Sequence, residues 1–146
     1  MIERFTHIGH VVRDINKGIE LYTAGFGFRP HSKGVMSIPG GKAFMVAVGN
    51  NLIEIIEPTD SKHRVGRFLE KRGEGLFHIS FRVDDLDSEV HLLRERGLRL
   101  ENPREITTLP TCPKISFVDP DSTYGAIIEL AEEPAGYEIL PPKSSP

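Results

Sequence analysis

Two stretches of this chain carry the same pattern, and this repeat limits the possible folds more than any other feature. FTHIGHVVRDINKGIELYTAGFGF, starting at Phe5, aligns with LFHISFRVDDLDSEVHLLRERGLRL, starting at Leu76. The alignment places His7 over His78 and Asp14 over Asp85. A chain that contains one supersecondary unit twice is expected to fold as two related modules.

The second copy shows what the repeated unit is. Apolar residues alternate with polar residues over seven positions, which is the pattern of a strand with two different faces. The apolar face is Phe77, Ile79, Phe81 and Val83, and the polar face carries His78, Ser80 and Arg82. Asp84 and Asp85 can then cap a helix that ends at Gly97. The unit is therefore a strand, a turn and a helix.

A glutamate recurs near the end of each copy. Ile53-Glu54-Ile55 matches Ile128-Glu129-Leu130, and both triplets lie in short apolar runs typical of strands. Each copy thus opens with a strand that bears a histidine and closes with a strand that bears a glutamate. If a pseudo-twofold axis relates the two copies, these side chains converge on one point.

Length favours one domain built from the two copies. A chain of 146 residues can bury roughly 68–70% of its unfolded surface, whereas half of it would be marginal alone. We expect a single domain over residues 1–146. Its predicted parts are module one at about 4–58, a connector helix at 59–74, module two at about 75–132 and a loose tail at 133–146.

The remaining secondary structure follows from local patterns. We expect the first strand at 4–12, a helix capped by Asp14, and a hairpin of Ala43–Val48 and Leu52–Glu57 with a turn at Gly49-Asn50-Asn51. Thr59-Asp60-Ser61 offers a start for the connector helix. Further strands are predicted at 98–100, 114–118 and 126–131, with a loop at 102–113.

Composition excludes several classes of function. The formal net charge is −3 with interspersed signs, so nothing favours a nucleic-acid partner. The chain begins without an apolar signal-like run, and no long apolar stretch follows, so we expect a cytoplasmic protein that does not bind a membrane. Cys112 is the only cysteine, which rules out an intramolecular disulfide, and we read it as a free thiol in a loop.

Four residues carry the predicted chemistry: His7, Glu54, His78 and Glu129. Two neutral imidazoles and two carboxylates suit a divalent ion such as Ni, Co, Mn, Fe or Zn, with one or two positions left for water or substrate. The net charge of such a site is near zero, which makes two buried carboxylates tolerable. The other histidines fall outside this register and are interpreted as ordinary residues, with His31 the first exception to consider. They are His10, His31, His63 and His91.

These motifs resemble the vicinal-oxygen-chelate superfamily of glyoxalases, bleomycin resistance proteins and extradiol dioxygenases. RFLEKRGEGLFHISFRVDDLDSEVHLLRERGLRL is similar to the methylmalonyl-CoA epimerase branch, and LIEIIEP and GAIIEL match its glutamate strands. The resemblance implies an α+β fold of two paired βαβββ modules, which form a curved eight-stranded mixed sheet cup around a metal. It places the metal ligands at His7, Glu54, His78 and Glu129, and it implies a homodimer.

Two features depart from the epimerase pattern. Where that branch shows a glycine-rich loop and a His-Pro-Lys turn, this chain has the stretch 109–113 and Asp119-Pro120-Asp121, which is closer to the glyoxalase-type branches. The strand at 43–48 carries no carboxylate for a second base. Recognition of a coenzyme A thioester and a two-base mechanism therefore do not follow from the motifs.

Several functions fit this site. We favour a metal-dependent isomerase, epimerase or lyase that stabilises the enolate of a small acyl thioester or oxo-acid, with Glu129 as base and Glu54 or water returning the proton. A glyoxalase I-like lactoylglutathione lyase is close behind. An Fe(II) extradiol dioxygenase needs only three protein ligands, so Glu54 argues against it. A non-catalytic small-molecule binding or resistance protein is the remaining alternative.

Overall fold

The computed structural model describes residues 1–109, 111 and 113–134. The chain separates into two compact units. The first unit is His7–Phe77. The second unit joins Met1–Thr6 to the described residues from His78 onward. Both boundaries, Thr6–His7 and Phe77–His78, fall immediately before a histidine of the sequence repeat.

The first unit is built around a hairpin that pairs with the end of the first strand of the chain. Its elements are the end of β1 (Ile2–Val11), α1 (Ile15–Glu20), a wide π-type turn (Leu21–Gly25), β2 (Arg29–Pro30), β3 (Met36–Ile38), β4 (Gly41–Val48), β5 (Asn51–Pro58) and α2 (Arg64–Arg72). Strand order is β2-β4-β5-β1, with β3 also paired to β4. β5 runs parallel to β1 and antiparallel to β4.

The second unit repeats this plan. Its elements are β6 (Gly75–Val83), α3 (Leu86–Glu95), β7 (Arg104–Glu105), β8 (Lys114–Val118), a 3₁₀ turn (Pro120–Ser122) and β9 (Ile128–Glu132). Strand order is β6-β9-β8-β7, with β6 parallel to β9. The beginning of β1 belongs here: the Thr6 hydroxyl donates to the Ser80 carbonyl oxygen at 3.1 Å.

The predicted fold class is confirmed. The order β1-α1-β2-β4-β5 matches β6-α3-β7-β8-β9, which gives the two expected βαβββ modules of an α+β fold. The described residues contain nine strands, one more than the predicted eight, because the three-residue β3 adds to β4. The residue bounds given for the two modules and the single domain remain predictions.

Helix caps follow the sequence closely. Asp14 accepts hydrogen bonds from the backbone N–H groups of Asn16 and Lys17, and Asp85 does the same for Ser88. Each side chain satisfies backbone donors that the first helical turn leaves without partners. Gly73 and Gly97, both with positive φ, end α2 and α3.

Apolar contacts between each helix and its strands form the cores. In the first unit Ile15 of α1 packs with Val46 and Ile55. In the second unit α3 packs against β6 and β9 through Val83, Leu86, Val90 and Leu130. Glu54 directly precedes Ile55, and Glu129 directly precedes Leu130. Because successive strand residues point to opposite faces, the helices cover one face and the glutamates lie on the other.

Two predicted boundaries are wrong. The connector helix begins at Arg64 rather than at Thr59-Asp60-Ser61, because the N–H groups of Thr59 and Asp60 donate to the Gly40 carbonyl oxygen instead of entering a helix. The strand expected at 98–100 is a single bridge from Leu100 to Val118. The paired strand of this region is β7, inside the loop predicted at 102–113.

Two sequence expectations fall outside the described residues. These are the free thiol of Cys112 and most of the loose tail, residues 135–146. Within the described ranges, none of the helices has the length and apolar character needed to span a membrane.

The core of the second unit gives a stability prediction. Leu86 has 0% exposure, so Leu86→Ala should lower the free energy of unfolding by about 2–5 kcal/mol, because it removes buried methyl groups and leaves a cavity. Urea denaturation measures the change. Leu92→Ala is the control on the same helix, since Leu92 is 37% exposed, and it should cost less than about 1 kcal/mol. Equal losses in the two variants would contradict the described packing.

Candidate metal centre

In the first unit, His7 and Glu54 form a buried pair. His7 lies on β1 and Glu54 on the parallel strand β5, where Glu54 stands opposite Gly9. Since Gly9 is two residues beyond His7, all three residues lie on one face of the sheet. The side chains of His7 and Glu54 meet, with 3.3 Å between Nε2 and Oε2.

The second unit holds the equivalent pair, His78 and Glu129. Glu129 on β9 stands opposite Ser80 on the parallel strand β6, and Ser80 is two residues beyond His78. The distance from His78 Nε2 to Glu129 Oε1 is 4.0 Å. Both units therefore place a glutamate opposite the second residue after a histidine, so the repeat seen in the sequence is also a repeat of strand register.

Burial makes these pairs unusual. The exposed fractions are 6% for His7, 8% for Glu54, 4% for His78 and 9% for Glu129. An ionised carboxylate removed from water is costly unless a cation or hydrogen-bond donors compensate it. On β6, His78 of the polar face is more buried than its neighbour Ile79, which is 39% exposed.

The chemistry and spacing of the donors fit a divalent ion. Nitrogen and oxygen ligands bind first-row ions at about 2.1 Å, so two ligands of one ion lie roughly 3–4.2 Å apart, depending on the angle between them. The His7–Glu54 distance of 3.3 Å and the His78–Glu129 distance of 4.0 Å fall in this range. Each pair can therefore supply two ligands to an ion.

Two neighbours of the second pair were not assigned a role from the sequence. Ser80, with 0% exposure, donates its hydroxyl to Glu129 Oε1 at 2.8 Å. The Phe117 ring lies edge-on to the His78 imidazole, with 6.0 Å between ring centroids. Ser80 lies on the same strand face as His78, and this was the only sequence feature that could have indicated its place beside the site. Phe117 stands opposite Glu129 across β8 and β9, a register that sequence does not define.

The strand opposite Glu54 brings no further acid to the site. β4 places Met45 opposite Glu54, and no position from Ala43 to Val48 carries a carboxylate. A carboxylate base on this strand is therefore excluded.

The aspartates of the Asp119-Pro120-Asp121 turn bind within the second unit. Arg99 Nε donates to Asp119 at 2.9 Å, and Arg99 Nη2 donates to Asp121 at 3.3 Å. The Arg99 guanidinium lowers the pKa of the Asp119 carboxyl through this hydrogen bond. These two carboxylates therefore hold the turn to Arg99.

The four remaining histidines have other surroundings. His10 Nδ1 forms a 2.7 Å hydrogen bond with the Tyr22 hydroxyl. The backbone N–H of His31 donates to the Met45 carbonyl oxygen, and His63 precedes the first residue of α2. His91 is exposed and forms an ion pair with Glu95 on α3 at 3.3 Å. None of them shares the register of the two pairs.

The comparisons identify the family. The family model described as glyoxalase/bleomycin resistance protein/dioxygenase superfamily matches residues 6–108. The chain belongs to this superfamily. The resemblance inferred from the motifs is thereby confirmed.

The relatives point to one branch. The chain is 33% identical to the uncharacterized protein YqjC of Bacillus subtilis, over 90% of this chain and 93% of that protein. It is 27% identical to the mitochondrial methylmalonyl-CoA epimerase of Dictyostelium discoideum, over 90% of this chain and 80% of that protein. The relatives with a named activity are enzymes, so the prediction of an enzyme of this superfamily is confirmed.

Solved structures agree with these relatives. Methylmalonyl-CoA epimerase from Mycobacterium tuberculosis has a TM-score of 0.80 at 30% identity, over 90% of this chain and 88% of that one. A Streptomyces coelicolor methylmalonyl-CoA epimerase variant in complex with 2-nitronate-propionyl-CoA has a TM-score of 0.83 at 28% identity, over 92% and 97%. The fold is therefore that of the epimerases.

His10 gives a pH prediction for stability. Burial lowers the pKa of His10, although the Glu74 carboxylate opposes this shift. The unfolded chain then binds a proton more readily than the folded chain, so His10 contributes a loss of stability as pH falls below about 6.5. Urea unfolding between pH 7.5 and 5.5 should show a smaller loss for His10→Asn than for the wild type. An equal loss in both proteins would contradict the assignment.

Proposed function

We propose that this protein is a divalent-metal-dependent epimerase that inverts the α-carbon of a small 2-substituted acyl thioester of the methylmalonyl-CoA type. The observation that carries the proposal is the pair of His–Glu couples in identical register, in a chain whose named relatives are methylmalonyl-CoA epimerases. The homodimer and the cytoplasmic location remain predictions.

His7, Glu54, His78 and Glu129 are the proposed ligands of one ion. Each unit supplies an imidazole and a carboxylate, and the chain passes from one unit to the other directly before His7 and directly before His78. What supports this ligand set is that both units place a histidine and a glutamate in the same register. The bound ion supplies an electrophile that stabilises negative charge developing on the substrate oxygens.

The proposed proton transfers use the two glutamates. Glu129 takes the α-proton of the substrate; the electron pair of the C–H bond passes into the enolate of the thioester. Glu54 or a water molecule returns a proton to the opposite face, which inverts the centre. Glutamate carboxylates commonly act as general bases in enzymes. Because Ala43–Val48 of β4 carry no carboxylate, the proposal assigns the proton transfers to these two glutamates and water.

The proposed set of four ligands disfavours an Fe(II) extradiol dioxygenase. An Fe(II) extradiol site needs two histidines and one carboxylate with the other positions open to catechol and oxygen. Here a second glutamate stands in contact range of His7. A fourth protein ligand leaves fewer open positions, which suits a substrate that binds through one or two oxygens.

Metal binding is the first test of this proposal. Chelator-treated protein titrated with Co²⁺ by calorimetry should bind one ion per chain. His78→Ala should weaken binding by more than the roughly 10–100-fold typical of outer-shell changes, because it removes a ligand. His91→Ala is the matched control, since that histidine is exposed on α3, and should bind like the wild type. Equal affinity of wild type and His78→Ala would refute the site.

Isotope exchange tests the chemistry. Wild-type protein with Co²⁺ in deuterium oxide should introduce deuterium at the α-carbon of methylmalonyl-CoA, as measured by mass spectrometry. Glu129→Gln should slow this exchange at least about 100-fold, because the base is lost. The control is Glu95→Gln, which makes the same chemical change at an exposed residue and should leave the exchange unchanged.

The same assay separates the alternatives. If neither methylmalonyl-CoA nor simpler 2-substituted acyl thioesters and oxo-acids exchange, the epimerase proposal fails. Turnover of the hemithioacetal of methylglyoxal and glutathione would then replace it with a glyoxalase I-like reaction. Binding of Co²⁺ without turnover of any of these substrates would favour a binding protein.

A further inference from the structure

The two glutamates of the repeat have different neighbours. Opposite Glu54 on β1 is Gly9, which has no side chain to donate a hydrogen bond. The equivalent position on β6 is Ser80, and its hydroxyl donates to Glu129 Oε1 at 2.8 Å. The register is the same in both units, so the difference comes from one residue. The second unit holds its carboxylate with a hydroxyl that the first unit lacks at that position.

Ser80 is itself firmly placed. It has 0% exposure and lies within β6, where its backbone is paired with β9. The hydroxyl of Thr6, which is 1% exposed, donates to the Ser80 carbonyl oxygen at 3.1 Å. Both the backbone and the hydroxyl of Ser80 are therefore engaged, and the donor presented to Glu129 comes from a fixed point.

The Ser80 hydrogen bond is made to the same Glu129 oxygen that faces His78. Glu129 Oε1 accepts from Ser80 and is also the atom 4.0 Å from His78 Nε2. A carboxylate is planar, so fixing Oε1 also limits where Oε2 lies. A glutamate side chain has three torsions, and their freedom must be restricted before a carboxylate can bind an ion or take a proton in one geometry.

We propose that Ser80 is a positioning residue: its hydroxyl holds the Glu129 carboxylate in the orientation in which it binds the divalent ion and takes the substrate α-proton. The two glutamates differ in the residue opposite them, which is Ser80 for Glu129 and Gly9 for Glu54. The catalytic part of this inference rests on the proposed function, whereas the metal-binding part does not.

Three variants test the inference. Ser80→Ala removes the donor and should weaken Co²⁺ binding roughly 10–100-fold, the range seen when groups that orient a metal ligand are lost. Ser80→Thr keeps a hydroxyl on a strand that tolerates β-branched residues, and should bind more tightly than Ser80→Ala. The matched control is Ser116→Ala. Ser116 is a serine of the same unit with 1% exposure, and its hydroxyl donates to the Glu101 carbonyl oxygen instead of a site carboxylate. It should bind Co²⁺ within about threefold of wild type.

Kinetics add a second readout. Ser80 contacts the carboxylate, so Ser80→Ala should lower kcat for α-proton exchange at least about tenfold with a much smaller change in KM. Thermal unfolding of the metal-free proteins checks that each variant folds. If Ser80→Thr does not fold, the comparison of Ser80→Ala with Ser116→Ala decides the question.

The outcomes separate this inference from the proposed function. Equal Co²⁺ affinity in wild type and Ser80→Ala overturns the inference, as does an equal loss in Ser80→Ala and Ser116→Ala, which would reflect general loosening of the unit. If the wild type exchanges deuterium in either of those cases, the epimerase function stands without it. If the wild type does not exchange but Co²⁺ affinity falls only in Ser80→Ala, the positioning role stands and the epimerase proposal fails.

Discussion

The pairing of an imidazole with a carboxylate on a buried strand face is the constraint on which the rest of this structure depends. Both glutamates are too buried for water to solvate their carboxylates fully, and each would be costly to bury alone as an ion. Parallel pairing of β1 with β5, and of β6 with β9, sets each carboxylate two residues along from a histidine. The helices must then lie on the opposite face, where Ile55 and Leu130 face the apolar cores. The chemistry of one face thus decides where the core can form.

Much of this arrangement is accessible from sequence because it is periodic or repeated. α3 was predicted from Asp85 and Gly97, and the ends of β8 agree with the predicted 114–118. The repeat placed the two histidines and the two glutamates at equivalent positions, and the structure gives them the same register in both units. The partners of each pair are distant in sequence, so the repeat, rather than any local pattern, carried the signal.

The errors have a common physical cause. The connector helix begins late because Gly40, some twenty positions earlier, accepts the N–H groups that would have entered its first turn. β7 consists of Arg104 and Glu105, which show no apolar alternation and are paired only through their backbone to β8. The Ser80–Glu129 hydrogen bond depends on the register of two strands separated by most of a module. Contacts between distant segments decided each of these features, and local patterns do not report them.

The assignment of β1 to both units has a practical consequence for protein engineering. Its first residues support the second unit: Phe5 packs edge-on to Phe81 with 6.4 Å between ring centroids, and Glu3 pairs with Arg82 at 3.1 Å. Thr6 binds the backbone of the serine that contacts Glu129. Truncations or fusions that disturb these first residues would therefore destabilise the second unit, although most of that unit comes from the later part of the sequence. A carboxyl-terminal affinity tag leaves that strand intact.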